Sequence, residues 1–251
     1  MDREFFSKHP WRVLVGGRNL EALLPLLRRF AVELVDDNPD LVITHGGDGS
    51  LLGAERDYPG VPKCPLRDRR QNPKCSQHSE LSTLEKLFAG QLQRSNLEKL
   101  VAVTACGEEL CGINDLVLGR ELLSSAIRYR IIVDGELFRP QVVSDSLVIA
   151  TPFGSTGYFQ SITRGNFRTG IGLAFNNAMD GSGFSVLSSF VRLEVQVLRG
   201  PAVLVADNDP KILRLQDGET LLVRLADRKT AVYGLDVFRC LDCYQLRRNG
   251  I

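Results

Sequence analysis

A glycine-rich stretch with one acidic residue is the part of the sequence best suited to chemistry. After a short apolar run, the chain continues through Gly46, Gly47, Asp48, Gly49 and Ser50. Glycines between a strand and a helix let the backbone approach a ligand closely, and unpaired N–H groups at a helix N-terminus favour a phosphate. A carboxylate there repels a polyphosphate unless it holds Mg²⁺ or accepts a proton from an attacking hydroxyl. The stretch therefore predicts phosphoryl transfer, although Asp-Gly pairs also close ordinary β-turns.

The surrounding N-terminal region must place this turn at the end of a strand. Short apolar runs at 11–15, 32–35 and 41–43 predict buried strands, and leucines at helical spacing within 20–30 predict a helix that Pro25 shortens or kinks. Alternating strands and helices favour a parallel sheet. Ligands bind such sheets at the carboxyl ends of the strands, which is where the glycine turn falls.

The segment from residue 58 to 79 has a different composition. Its prolines alternate with basic residues, which predicts an irregular, solvated loop through most of the segment. An alternative is that Arg67, Arg69 and Arg70 reach the phosphates held by the glycine turn, because guanidinium groups match phosphate oxygens. An amphipathic helix is predicted from 79 to 92.

After residue 97 the sequence changes to short, β-branched runs separated by turns, which predicts a mostly antiparallel β region. We therefore expect an α/β domain over 1–96 with a parallel sheet, followed by a β-rich domain over 97–251 whose last strands can pack back on the first domain. The predicted strands cover 99–105, 110–118, 126–133, 146–150, 191–198, 202–206, 220–225 and 230–233.

Polar residues cluster at three places in the β-rich region. Asn114 and Asp115 interrupt an apolar run, and Asp145 opens another that ends in the turn 151–158. This turn resembles a strand passing into a helix, with Ser155 or Thr156 as the N-cap. Capping explains one hydroxyl, whereas a second glycine-rich turn flanked by Asp145 and a tyrosine indicates a ligand site.

Overall composition limits the partners. The 251 residues carry a net charge of +1, with 43% hydrophobic and 24% charged residues, so nothing favours nucleic acid or an anionic membrane surface. The apolar runs are too short to span a bilayer and the first residues do not resemble a signal peptide, so we expect a cytoplasmic protein without membrane contact.

The six cysteines are expected to be thiols in a reducing compartment. Cys240 and Cys243 form a C-x-x-C pair, and Cys64, Cys75 and His78 lie in one polar segment. A structural zinc held by Cys64, Cys75, Cys240 and Cys243 is conceivable, but inert thiols explain the same residues.

Three motifs together resemble the NAD kinase family. They are Gly46-Gly-Asp-Gly-Ser50, Asn114-Asp115 and the run from Asp145 through Thr151-Pro-Phe-Gly-Ser-Thr-Gly-Tyr158. Their order and spacing match the family over most of the chain. The first motif alone is weak evidence, because phosphofructokinases and diacylglycerol kinases carry similar turns.

The resemblance implies a kinase that transfers phosphate from ATP to the adenosine-ribose 2′-hydroxyl of NAD, making NADP. Asp48 would be the catalytic base, and the turn from Gly46 to Ser50 would hold the donor phosphates with Mg²⁺. The family is commonly dimeric or tetrameric, so a homo-oligomer is expected. The implied NAD-binding residues are Asn114, Asp115, Asp145, Thr151, Ser155, Thr156 and Tyr158.

The sequence also departs from the family pattern. The segment 61–78 lacks the glycine-rich run that family members usually carry there, and Ser146 and Phe153 replace smaller residues. Two alternatives therefore stay open: a kinase for another hydroxyl, on a lipid or sugar, and a paralogue that binds a dinucleotide without turnover.

Overall fold

The computed structural model describes residues 10–70 and 78–248. Their contacts divide into two compact units: unit 1 within residues 1–97 and 230–251, and unit 2 within residues 98–229. Residues 230–248 thus belong to unit 1, because a strand at 230–233 pairs with strands of the N-terminal sheet. No described helix has the length and apolar character needed to cross a membrane.

Unit 1 contains a sheet with the strand order β2-β1-β3-β4-β18-β5, accompanied by helices α1, α2, α3, α5 and α6. The neighbours from β2 to β18 pair in parallel, and β5 runs antiparallel to β18. The elements are β1 (Trp11–Gly17), α1 (Leu20–Leu27), β2 (Val32–Leu34), β3 (Leu41–Gly46), α2 (Asp48–Asp57), β4 (Lys63–Arg67), α3 (Glu80–Phe88), β5 (Arg94–Leu97), β18 (Thr230–Tyr233), α5 (Leu235–Phe238) and α6 (Leu241–Arg248).

Strand β3 is the central element of this unit. All six of its residues are buried, as expected for a strand with parallel neighbours on both sides. Its apolar side chains pack with Trp11, Leu27 and Leu87 in the hydrophobic core. The strand ends at Gly46 and α2 begins two residues later, so the sheet delivers the glycine turn to its carboxyl edge.

The expectation of an irregular loop through most of 58–79 is wrong at β4, which is a fully buried strand. Pro65 is compatible with the strand because β3 does not need the backbone N–H that proline lacks. Val42 N–H donates to Pro62 O, so the backbone polar groups of residues 62, 64 and 66 point toward β3, and those of Pro65 point to the other side. On that side β18 pairs with β4 at Lys63. The buried Lys63 ammonium pairs with Glu55 and donates a hydrogen bond of 2.6 Å to Tyr58 O.

Unit 2 is built from antiparallel strands in two sheets, with the orders β10-β9-β14-β17-β6-β7 and β13-β12-β11-β8-β15-β16. Apolar residues of both sheets share one core. The elements are β6 (Leu100–Thr104), β7 (Glu109–Gly112), β8 (Asp115–Arg120), β9 (Ile127–Val133), β10 (Glu136–Ser144), β11 (Ser146–Ala150), α4 (Tyr158–Thr163), β12 (Ile171–Asn176), β13 (Phe184–Leu187), β14 (Leu193–Arg199), β15 (Ala202–Ala206), β16 (Leu213–Leu215) and β17 (Thr220–Leu225).

The two units confirm the predicted fold class, a parallel α/β sheet together with a mostly antiparallel β-rich part. One predicted strand, 110–118, is in fact two strands. The chain leaves β7 after Gly112 and enters β8 at Asp115, and the two strands belong to different sheets. The polar pair Asn114 and Asp115 therefore lies at a change of sheet.

Candidate functional site

The glycine turn of unit 1 has the backbone geometry that its sequence predicts. Gly46 has φ +145°, and a Cβ atom there would lie 2.5 Å from Ser50 Oγ, so a larger residue would strain the turn. Gly47 is the N-cap of α2 and supplies no side-chain acceptor. Gly47 therefore does not cap the first amides of α2 with a side chain, and a helix N-terminus of this kind is suited to binding an anion.

Asp48 lies in the first turn of α2 and faces two arginines. Its Oδ1 is 3.3 Å from Arg67 Nη2 and 3.6 Å from Arg239 Nη2. Arg67 is fixed from behind, because its Nε donates to Phe238 O at 2.9 Å and its guanidinium lies 4.0 Å above the Phe238 ring. Burial lowers the pKa of Arg239, whereas the nearby Asp48 carboxylate acts in the opposite direction. The turn thus carries one carboxylate between two cations.

Three ionisable residues lie directly beside this turn: His45, Asp68 and Glu80, with potential ligand atoms within 4.8 Å of one another. The Glu80 carboxylate, 3.8 Å from His45 Nε2, raises the pKa of His45 against the opposing effect of burial. His45 Nδ1 lies 2.7 Å from Arg18 O, and Asp68 pairs with Arg70 at 3.4 Å. These contacts make the group an internal ion-pair network next to Gly46.

Asp207 organises the corresponding polar site of unit 2. Its carboxylate accepts hydrogen bonds from the backbone amides of Ile113 and Asn114, both at 2.8 Å, and of Asp115 at 3.1 Å. Its own N–H donates to Asp115 O at 3.0 Å. Asp207 therefore shapes the change of sheet at 113–115. The motifs used in the sequence analysis do not include this residue, and its one sequence signal is the polar turn that follows β15.

The buried Asp115 and the half-buried Asp207 form a pair of neighbouring carboxyl groups. Burial, with a further contribution from the Asp207 charge, raises the pKa of Asp115 to about 7. Burial also raises the pKa of Asp207, although the hydrogen bonds that its carboxylate accepts from three backbone amides lower it. Because like charges at close range disfavour double ionisation, the pair retains a proton over part of the range below neutral pH.

This pair makes the stability of the protein depend on pH. The pKa of Asp115 is higher in the folded protein, about 7, than its ordinary value of 3.8, so the folded state binds a proton that the unfolded state releases. The contribution of this proton to the free energy of unfolding is complete below pH 3.8 and disappears as the pH rises through about 7. Between pH 3.8 and about 7, the free energy of unfolding in urea is expected to fall less with rising pH for Asp115→Asn than for wild type. Parallel curves for the two proteins would contradict the assignment.

The turn 151–158 contacts the 113–115 segment through its backbone. Thr151 Oγ1 donates to Ile113 O at 2.6 Å and accepts from Gly154 N. A Cβ on Gly154 would lie 2.0 Å from Asn114 O, so only glycine allows this approach. Ser155 is also buried, and its hydroxyl bonds to the carbonyls of Pro152 and Phe167. Thr151 and Ser155 thus use their hydroxyl groups within the fold.

The predicted N-cap of the following helix is wrong. A short 3₁₀ helix occupies Gly154–Thr156, and the N-cap of α4 is Gly157, without a side-chain cap. Thr156 and Tyr158 are exposed instead, and Tyr158 Oη accepts a hydrogen bond of 3.2 Å from Asn176. Asn114 Oδ1 is buried and has no hydrogen-bond partner among the described residues.

Asp145 lies between β10 and β11 in a polar group of its own. Its carboxylate pairs with Arg120 at 2.9 Å and accepts from Asn177 Nδ2 at 2.8 Å. The side chain keeps about a quarter of its surface exposed, so one face of this anchored carboxylate is accessible. The arginine and asparagine were not singled out in the sequence.

The structure separates the cysteines that were grouped in the sequence. Cys64 is buried in the core of unit 1, and burial raises the pKa of its thiol to about 12. Cys75 lies outside the described residues. Cys240 and Cys243 lie with His78, their potential ligand atoms within 4.8 Å of one another. Cys64 is not part of that group.

Comparison with known proteins adds independent information. No family model matches the sequence. The NAD kinases of Clostridium beijerinckii and Brucella suis are 36% and 30% identical over 127 and 145 residues, covering 47% and 56% of this chain and 44% and 55% of theirs. The NAD kinase of Sodalis glossinidius is 28% identical over 210 residues, covering 77% of this chain and 70% of its own. All three of these relatives are named NAD kinase, and the chain is similar to each of them over the stated segment.

Solved structures show a similar fold. Yeast NADH kinase in complex with NADH superimposes with a TM-score of 0.78 at 14% identity, covering 95% of this chain and 87% of the yeast chain. An NAD kinase from Archaeoglobus fulgidus in complex with ATP gives 0.75 at 20% identity, covering 92% and 97%. By sequence, the chain spans about half the length of the first two bacterial NAD kinases.

Proposed function

We propose that this protein is a member of the NAD kinase family and transfers the terminal phosphate of ATP to the adenosine-ribose 2′-hydroxyl of NAD. The observation that carries the proposal is the position of Asp48, whose side chain is partly exposed in a turn of glycine amides at a helix N-terminus. A neutral hydroxyl is a poor nucleophile, and a carboxylate within hydrogen-bond reach can accept its proton as the bond to phosphorus forms. The names of the bacterial relatives support the same reaction.

The two arginines beside Asp48 resolve the electrostatic difficulty of the sequence motif. A lone carboxylate would repel the phosphates of ATP, but Arg67 and Arg239 lie within 4 Å of it and give the group a net charge of +1. Guanidinium groups bind phosphate oxygens through paired N–H donors. We assign to Arg67 and Arg239 a role in holding the donor phosphates, together with the amides of Gly46 to Ser50.

Mg²⁺ is proposed to enter with ATP and not through a site of the protein. The Asp48 carboxylate is shared with two arginines, and the neighbouring His45, Asp68 and Glu80 are engaged in their own contacts. Mg²⁺ prefers several oxygen ligands in near-octahedral geometry. The residues at the glycine turn do not offer such a set, so no step of the reaction is assigned to a protein-bound ion.

The 113–115 segment and the turn 151–158 of unit 2 are proposed to bind the dinucleotide. The buried Asn114 Oδ1, without a partner among the described residues, suits an amino N–H donor such as that of adenine. Thr156 and Tyr158 offer an exposed hydroxyl and an exposed ring. Asp145 offers an accessible carboxylate face, whereas Asp115, Thr151 and Ser155 support the site through the backbone. A homo-oligomer in the cytoplasm stays part of this proposal.

The proposal is tested by incubating the purified full chain with NAD or NADH, ATP and Mg²⁺ and measuring NADP or NADPH with an NADP-specific dehydrogenase. Product is expected with ATP, and a parallel reaction with polyphosphate identifies the donor. The control omits ATP. Phosphorylation of a lipid or sugar hydroxyl in place of NAD would contradict the proposal, as would a thermal shift with NAD and ATP without product.

A further inference from the structure

We propose that His78, Cys240 and Cys243 form a zinc site in unit 1. The imidazole precedes α3, and the two thiols flank the start of α6, so the site joins segments more than 160 residues apart in sequence. Their potential ligand atoms all lie within 4.8 Å of one another. Thiolate and imidazole are the ligands that zinc prefers in structural sites.

The separation of two of these atoms matches a zinc site. Cys243 Sγ lies 3.6 Å from His78 Nδ1. Zinc bonds of about 2.3 Å to sulfur and about 2.0 to 2.1 Å to nitrogen, at a tetrahedral angle, place the two ligand atoms about 3.6 Å apart. Cys243 is fully buried, whereas His78 and Cys240 are half-buried, so one ligand lies inside the fold and the site is reached from one side.

The helix explains how the C-x-x-C spacing converges on one point. Tyr244 N–H donates to Cys240 O at 3.0 Å, so the chain is already in a helical turn between the two cysteines. Side chains three residues apart on a helix point in similar directions. His78 then adds a ligand from a separate segment, which a C-x-x-C pair acting only as a dithiol does not require.

A zinc ion at this position would fix the segment that supplies Arg239. Arg239 immediately precedes Cys240 and lies 3.6 Å from Asp48, and Phe238 O accepts the Arg67 hydrogen bond. α5 is a single turn and ends at Phe238, so few contacts within the helices hold this stretch. The metal would therefore act as a structural clip for residues 238–243 and not as a group that contacts substrate.

The test is the metal content of the untagged protein purified from zinc-supplemented cells, measured by inductively coupled plasma mass spectrometry. We expect about one zinc per chain in wild type, and less than about one tenth in Cys240→Ser and Cys243→Ser. The matched control is Cys106→Ser, which replaces an exposed thiol of unit 2 and should keep the wild-type content. Replacing zinc with Co²⁺ should give thiolate-to-cobalt absorption bands in wild type and change them in His78→Cys.

Wild type alone can overturn the proposal, even if a variant fails to fold. A metal-free protein whose Cys240 and Cys243 both react with a thiol reagent would do so. A Cys240–Cys243 disulfide found by mass spectrometry of the non-reduced wild-type protein would also overturn it. Among the variants, a zinc content that is unchanged in Cys240→Ser would do the same. None of these readouts depends on kinase activity, so they separate this site from the proposed reaction.

Discussion

Replacing Asp48 with asparagine is expected to lower kcat for NAD phosphorylation about 1000-fold while NAD binding changes by no more than a few fold. General-base catalysis contributes about 100-fold to 10,000-fold, and the amide retains the shape of the side chain without the capacity to accept a proton. Rates of NADP formation and calorimetric titration with NAD measure the two effects separately.

The electrostatic surroundings of Asp48 require a stability control for this variant. Without the carboxylate, Arg67 and Arg239 lose the anion that both contact. Burial, with a smaller contribution from repulsion by Arg67, already lowers the pKa of Arg239. Thermal unfolding must show that Asp48→Asn is folded at the assay temperature. Asp57→Asn, at the other end of α2 and paired with the adjacent Arg56, is the matched control and should keep wild-type kcat. Near-wild-type turnover of Asp48→Asn would mean that Asp48 is not the base.

Replacing Asp207 with glycine is expected to lower the free energy of unfolding by about 3 kcal/mol or more, because several buried backbone amides each lose an acceptor worth about 1 to 3 kcal/mol. The amides are those of Ile113, Asn114 and Asp115. Asp207 has φ +47°, which glycine adopts without strain, so this substitution removes the hydrogen bonds without distorting the backbone. Urea unfolding monitored by circular dichroism gives the value.

Two further variants identify the cause of the loss. Asp207→Asn keeps one acceptor oxygen and tolerates the same backbone conformation, so it should recover part of the lost stability. Asp209→Ala, which removes a carboxylate that accepts from Lys211 N in an exposed turn, should cost less than about 1 kcal/mol. If Asp207→Gly is as stable as Asp209→Ala, the amides at 113–115 do not depend on Asp207.

Local sequence was enough to predict the elements that depend on short-range rules. The run 41–43 and the glycines after it specify a strand, a turn and a helix start, because burial and backbone freedom at these positions act over a few residues. The strands at 202–206, 220–225 and 230–233 also begin and end where the β-branched runs predict. The roles of the motif residues in binding NAD stay predictions.

Strand β4 shows where local rules fail. Proline and lysine in sequence favour a solvated loop, yet β4 is buried because the N–H that Pro65 lacks is not one that pairing with β3 uses and because Glu55 neutralises Lys63. Both facts depend on which strands flank β4. A pattern within 58–79 cannot contain them.

The sequence by itself determined the fold class, the strand, glycine turn and helix start at 41–50, and the motifs that resemble the NAD kinase family. Tertiary structure alone decided that Arg67 and Arg239 flank Asp48, that Asp207 holds the 113–115 amides, and that His78 meets Cys240 and Cys243. In each case the partners are between 19 and 191 residues apart in sequence. Turn and strand propensities act between neighbours along the chain, whereas these contacts exist only once the sheets have brought distant segments together.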